Sequence, residues 1–206
     1  SKAYMINPPD AKRDYDGVEV ALDKRYSRGW QLKASYVWQK SRGLIGTDFG
    51  DSWSGTAYYE NPNAHINAIG RFPLERRHQV KIQGLVNGPW GINLGGYFRY
   101  LSGQRYTRSI RNADLGLTLA QGAQTIYAEK RGDRGLPDLK ILDLRLEKAF
   151  RIGQTSFAVF GDAFNVFNDN KATGVYSVSS NPSIEFEKME SIQNPRIFQI
   201  GARFEF

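Results

Sequence analysis

The sequence predicts an all-β fold of antiparallel strands that cross a membrane. Three observations carry this: apolar residues recur at alternate positions, short and long connections alternate, and aromatic residues stand at the strand ends. Successive side chains of a strand point to opposite sides, so alternation gives each strand one apolar and one polar face. Aromatics reach 13% of the 206 residues against a hydrophobic total of only 40%, a balance that suits strands greasy on one side. No run approaches the roughly 18 apolar residues that a membrane helix requires. That excludes helical spanning alone, because a wall of alternating residues averages to a polar hydropathy.

Seven strands are expected, near residues 15–26, 30–40, 78–87, 91–101, 140–149, 155–167 and 196–206. In the first, Val18, Val20 and Leu22 alternate with Glu19 and Asp23, and the run stops at Ser27-Arg28-Gly29, a turn with glycine available for positive φ. The second sets Trp30, Leu32, Ala34, Tyr36 and Trp38 against Gln31, Lys33, Ser35 and Gln39, with Val37 the exception. Val80, Ile82 and Gly84 alternate with Gln79, Lys81 and Gln83 up to the turn at Asn87-Gly88-Pro89. The chain returns through Ile92, Leu94, Gly96, Phe98 and Tyr100. Leu142, Leu144 and Leu146 then oppose Asp143, Arg145 and Glu147, before a turn at Arg151-Ile152-Gly153. The sixth strand leaves its parity open, since a wet face for Asp162 would take Phe160 and Phe164 with it. The last is regular: Phe198, Ile200, Ala202, Phe204 and Phe206 face one way, Gln199, Gly201, Arg203 and Glu205 the other.

The turns after Tyr26, Val86 and Phe150 are a few residues long, whereas the links 41–77, 102–138 and 168–195 run to about thirty residues or more. Compact soluble domains rarely carry three such loops, but outer-membrane barrels put short turns on the periplasmic side and long loops outside. Trp30, Trp38, Trp90 and Tyr100 are the candidates for the interfacial aromatic girdles. An odd strand count that begins outside predicts a part of a larger barrel, with upstream sequence and with Ser1 to Lys12 as the tail of an extracellular loop. The C-terminus is expected in the periplasm. A soluble carbohydrate-binding β-sandwich also alternates, but with an interior apolar face and shorter loops.

Several function classes recede on the same reading. The chain has no cysteine, which removes disulfides and thiolate metal sites, and Ser1-Lys2-Ala3-Tyr4 lacks the pattern of a signal peptide. The net charge of +7 is spread along the whole length with no basic run beyond pairs such as Arg76-Arg77, so no nucleic-acid footprint is expected. No catalytic constellation, cofactor cradle or metal set emerges: His65 and His78 stand apart, and Asp48 and Asp51 lack calcium-loop spacing. Arg131-Gly132-Asp133 spells an adhesion tripeptide, read as chance in a loop rich in Arg and Gly. The loops carry Trp53, Tyr58, Tyr59, Arg71, Arg105, Tyr106 and Tyr127 as candidate substrate contacts, aromatics for stacking and arginines for carboxylates. On the polar face Glu19, Lys33, Lys81, Arg99, Arg145 and Arg203 are expected to pair with one another or with a lumen-filling domain.

Four segments together resemble the TonB-dependent receptors, especially the Oar-like group with a carboxypeptidase-regulatory-like domain. They are Arg13-Asp14-Tyr15-Asp16-Gly17-Val18-Glu19-Val20 with Lys24-Arg25-Tyr26; Leu136-Pro137-Asp138 with Leu142-Asp143-Leu144-Arg145-Leu146-Glu147-Lys148-Ala149-Phe150; Asp162-Ala163-Phe164-Asn165-Val166-Phe167-Asn168; and 194–206. The last strand also resembles the signal read by the barrel assembly machinery, carried by Gly201, Phe204 and Phe206, although Ile200 replaces the usual polar residue. The resemblance implies a barrel of about 22 strands, of which this chain holds about seven, and a plug domain and TonB box that lie outside the chain. It further implies energy from TonB–ExbB–ExbD, contact with outer-membrane lipids, and a possible surface lipoprotein partner. The implied activity is uptake of a nutrient too large for porins, such as a siderophore, glycan or peptide. The rival reading is a surface or adhesion barrel that transports nothing.

Overall fold

A computed structural model describes residues 12–44, 62–73, 75–120, 122–153 and 155–206. Fourteen strands follow in chain order: β1 (Arg13–Ser27), β2 (Trp30–Gly43), β3 (Gly70–Arg71), β4 (His78–Asn87), β5 (Ile92–Leu101), β6 (Arg105–Tyr106), β7 (Ser109–Arg111), β8 (Thr125–Tyr127), β9 (Arg134–Gly135), β10 (Leu139–Ile152), β11 (Thr155–Phe164), β12 (Ala172–Val175), β13 (Met189–Ile192) and β14 (Ile197–Glu205). The long ones form a single antiparallel sheet in the order β1-β2-β4-β5-β10-β11-β14, with β3 added to the end of β2. Each long strand pairs with the next long strand along the chain, so the sheet is an antiparallel meander with the short strands in its connections.

Register carries the alternation of each strand across the whole sheet. Val20 lies opposite Tyr36, Tyr36 opposite Val80, and Val80 opposite Tyr100. Ile82 meets Ala34 and Phe98, and Phe98 meets Leu142. At the far edge Phe157 faces Phe204 and Ala163 faces Phe198. One face is therefore apolar from β1 to β14, and it is bare: Val20 is 61% exposed, Leu146 56%, Phe198 71% and Ile200 84%. A water-soluble sheet covers such a face with a second layer, because each large side chain left in water forfeits about 1.5–3 kcal/mol.

The parity of β11 is settled by its partners. Asp162 lies opposite Arg145 and Gln199, so it shares the polar face, and Phe160 and Phe164 go with it. The strand stops at Phe164, three residues short of the expected end, because Asn165 turns the chain with φ +50°. Asn165 is buried and fastens the loop end: its N–H donates to Asp143 (2.8 Å), and its side-chain amide donates to the carbonyls of Asp169 (3.0 Å) and Asn194 (2.7 Å). At the opposite end Trp90 also stands in a turn. It sits with φ +58° inside a short 3-10 turn, Pro89–Gly91, just before β5.

The described parts of the long links, read from sequence as loops, fold into a second tier at one end of the sheet. Link 102–138 forms two ribbons, β6–β9 and β7–β8, and link 168–195 forms β12–β13. A parallel bridge between Ser109 and Val178 joins the two links. Much of the buried interior of the described residues lies there. Leu44, Ala68 and Phe72 make a small core with Tyr127 packed against it, whereas the sheet contributes Leu139, Ile141 and Ala158.

Candidate functional site

The loop tier gathers charged side chains in two places. In the first, the Glu75 carboxylate is fully enclosed. It accepts from Arg71 Nη2 (2.5 Å) and Nε (3.0 Å), and from the Ser41 N–H (3.1 Å). Arg77 Nε stands 3.7 Å away. Arg105 joins the group through its backbone, whose N–H donates to the Pro73 carbonyl (3.2 Å); burial and the nearby Arg71 and Arg77 hold its pKa below the usual guanidinium value, against the pull of Glu75 and Asp133. Chain geometry makes this convergence possible. β3 brings Arg71 to the end of β2, Arg77 directly precedes β4, and the β6–β9 ribbon presents Arg105 opposite Gly135. A Cβ on Gly132 would stand 2.5 Å from the Arg71 carbonyl oxygen, so only glycine lets the two backbones approach that closely.

The second place is a clasp between the two long links. Arg134 Nη1 pairs with Glu187 (2.6 Å) and Nε with Glu129 (2.7 Å). The Tyr106 hydroxyl donates to the same Glu187 oxygen (2.6 Å), and Phe186 lies beneath both Arg134 and Arg108, with centroid distances of 5.0 and 5.5 Å. Burial, then the bond to Glu187, pushes the Tyr106 phenol up to about 12. Hydrogen bonds from Tyr106 and Arg134 hold the Glu187 carboxyl below the usual range. Burial opposes the charge of Glu129, but bonds from Arg134 and the Arg108 N–H outweigh it and lower its pKa as well. The bonds to both glutamates raise Arg134.

Of the residues singled out from sequence, Arg71 and Arg105 thus meet in one cluster, and Tyr106 belongs to the clasp instead. Tyr106 follows Arg105 in the ribbon, and adjacent strand residues face opposite ways. Tyr127 packs on the small core, with the guanidinium of Arg131 5.8 Å from its ring and 5.0 Å from that of Phe72. Trp53, Tyr58 and Tyr59 lie outside the described residues, as do Asp48 and Asp51. Arg131 is only 1% exposed, so the adhesion tripeptide is not displayed. Sequence reasoning missed Glu75, Arg77, Arg134 and Glu187. The available signal was slight: a lone acid between Pro73 and the Arg76-Arg77 pair.

The sheet's polar face carries a ladder of ion pairs, Lys33–Asp23 (3.7 Å), Arg99–Asp143 (3.0 Å), Arg145–Asp162 (3.7 Å) and Arg203–Glu147 (3.6 Å). Arg145 also lies over the Phe160 ring, 3.7 Å from its centroid, and that ring covers Gly201, where a Cβ would stand 2.4 Å from it. Gly201 is therefore required by an aromatic that shields the strand edge. Trp30 and Trp90 stand at the short-turn end; Lys24 Nζ lies 3.9 Å from the Trp30 ring centroid, and Lys148 donates to the Trp90 carbonyl. Trp38 and Tyr100 stand at the loop end, Trp38 opposite His78 and Tyr100 donating to Asp138 (2.7 Å). Phe204 and Phe206 are exposed at the open edge. No cluster of three or more His, Cys, Asp or Glu suited to a metal occurs among the described residues.

Comparison with known proteins points the same way. Residues 4–125 match the family model of the outer membrane beta barrel domain. The TonB-dependent transporter Oar of Myxococcus xanthus is 24% identical over 170 residues, which cover 78% of this chain and 16% of that protein. Among solved structures, the ferripyoverdine receptor of the Pseudomonas aeruginosa outer membrane superposes with a TM-score of 0.56 at 14% identity, covering 94% of this chain and 20% of the receptor. The ferric-catecholate import receptor Fiu of Escherichia coli K12 gives 0.54 at 14% identity, over 92% of this chain and 20% of that one. The chain thus spans about a sixth to a fifth of the length of these proteins. With an all-β antiparallel sheet whose apolar face is bare and a matching family model over more than half its length, this chain belongs to the outer membrane β-barrel domain family.

Proposed function

We propose that the chain forms the C-terminal portion of the barrel of a TonB-dependent uptake receptor. Its seven long strands would be part of a wall of about 22. The observation that carries this reading is the two-sided sheet with its one-sided loops. The apolar face from Val20 to Ile200 suits lipid, the ion-pair ladder from Lys33 to Arg203 suits a filled lumen, and the folded links gather at one end. Likeness to the Oar transporter supports the same assignment. In this arrangement Trp30 and Trp90 mark the periplasmic interface, Trp38 and Tyr100 the outer one, and the C-terminus is periplasmic. Gly201, Phe204 and Phe206 serve recognition by the assembly machinery.

The loop tier would then meet the nutrient, a siderophore, glycan or peptide, with Arg71 and Arg105 in contact and Tyr106 and Tyr127 holding the loops that present them. Trp53, Tyr58 and Tyr59 are further candidate contacts for that nutrient. TonB–ExbB–ExbD would act through a plug outside this chain, and a surface lipoprotein could cap the loops. The test is nutrient uptake by cells carrying the intact polypeptide, with and without TonB. Uptake that stops when TonB is removed supports the receptor. Surface exposure of the loops with no TonB-dependent uptake returns the adhesion barrel, which gains nothing from an adhesion tripeptide whose arginine is buried.

A further inference from the structure

We propose that Arg71, Arg77 and Arg105 form a recognition site for a soluble, multiply charged anion bearing carboxylate or phosphate groups, a substrate class that rests on the uptake reading above. Arg71 and Arg77 share Glu75, and the Arg105 N–H, donating to the Pro73 carbonyl (3.2 Å), brings a third guanidinium to a place where the described residues supply one buried carboxylate and the exposed Asp133. The carboxylate is already committed. Glu75 takes two bonds from Arg71 and one from the Ser41 N–H, and it keeps Arg77 only at 3.7 Å. The Arg77 Nε is buried without a hydrogen-bond acceptor. Arg105 has no carboxylate at ion-pair distance among the described residues, and its neighbours Arg71 and Arg77 are cations.

Like charges held together in a half-buried setting repel, and a bound anion relieves that repulsion. The guanidinium fork suits carboxylate and phosphate, which it can meet with two parallel bonds. The frame around the cluster is built to hold it. Arg71 is packed on Gly132, the Arg105 side chain crosses Gly135, and the other side of the same ribbon is clasped to Glu187 through Tyr106 and Arg134. The edges of Arg71 and Arg77 remain reachable, with side chains 22% and 38% exposed.

The test is calorimetric titration of the intact polypeptide in detergent with citrate and, separately, with pyrophosphate. Saturable binding that weakens with added salt is expected for at least one of them. Arg105→Gln should lower the affinity about tenfold or more, and Arg105→Lys should restore part of it. Lys33→Gln, on the sheet, should leave it unchanged. Heat-modifiable gel mobility confirms that each variant is assembled. No saturable binding of either anion, or binding that assembled Arg105→Gln leaves unchanged, overturns the site. The uptake reading fails on a different result. TonB-dependent uptake with unaltered anion binding in Arg105→Gln removes the site and keeps the transporter, and anion binding without TonB-dependent uptake does the reverse.

Discussion

The sheet and the loop tier solve opposite problems with the same backbone chemistry. In the sheet, large apolar side chains are bare and charged ones stand in water: Ile200 is 84% exposed, and Lys33 and Asp23 pair with side chains more than half exposed. In the loop tier the inside is polar. Glu75, Thr107, Ser109, Gln124 and Arg131 are all buried, each below 9% exposure, beside a small core that among the described residues comprises Leu44, Ala68 and Phe72. The sheet awaits a solvent other than water on one face, while the tier carries its own solvation in hydrogen bonds and, at Arg131, in the rings of Phe72 and Tyr127. The contrast teaches where the chain is vulnerable. A charge is tolerated or not in the sheet according to face, and in the tier according to partner.

The largest effect should come from the tier. Glu75→Ala would leave Arg71 and Arg77 without their shared carboxylate and cost about 3–5 kcal/mol, the usual penalty for breaking a buried pair. Urea unfolding of the intact polypeptide in lipid vesicles would read it, and a cost below about 1 kcal/mol would show that the enclosed pair is not holding the tier.

Next comes the apolar face. Ile82→Arg, between Ala34 and Phe98, should cost about 2–4 kcal/mol in a bilayer, while Gln83→Arg on the other face should change stability by less than about 0.5 kcal/mol. Equal costs at the two neighbours would dissolve the distinction between faces and with it the membrane assignment.

The clasp should open with pH in two directions. Glu129 and Glu187 have depressed pKa values, so their contribution is present above the ordinary value of 4.5 and fades as pH falls through the lowered one. Tyr106 is raised, so its contribution is complete below 10 and fades as pH rises towards about 12. A spin-label distance between links 102–138 and 168–195 should therefore hold steady from about pH 5 to pH 10 and lengthen outside that window. Lengthening near neutrality would mean that other contacts set the spacing.

The smallest effect concerns the strand edge. Phe160→Ala removes the ring between Arg145 and Gly201 and should cost about 1 kcal/mol, with slower assembly followed by gel mobility. An unchanged assembly rate would confine Gly201 to a role apart from that ring.

These two regions were unequally legible in the sequence. Val18 to Leu22, Trp30 to Trp38 and Phe198 to Phe206 could be assigned to faces by counting in twos, because in a strand the face of a residue depends only on its parity. The sixth strand stayed open, because Asp162 and Phe160 share a parity but not a polarity, and only their partners on two other strands, Arg145, Gln199 and Gly201, placed both on the polar face. The strand ends resisted. Trp90 and Asn165 adopt positive φ in turns, where a single residue breaks the period and the next contact decides the path.

The amino-acid sequence by itself determined the two faces, the short turns, the polar character of the long links and the resemblance to an outer-membrane receptor. Only the tertiary structure decided that Glu75 would be enclosed by arginines, that Arg105 and Tyr106 would serve different clusters, and that Arg131 would be buried. The reason is range. Face selection is local and repeats every two residues, whereas Tyr106 and Glu187 stand 81 residues apart and meet through folded links that no local periodicity describes.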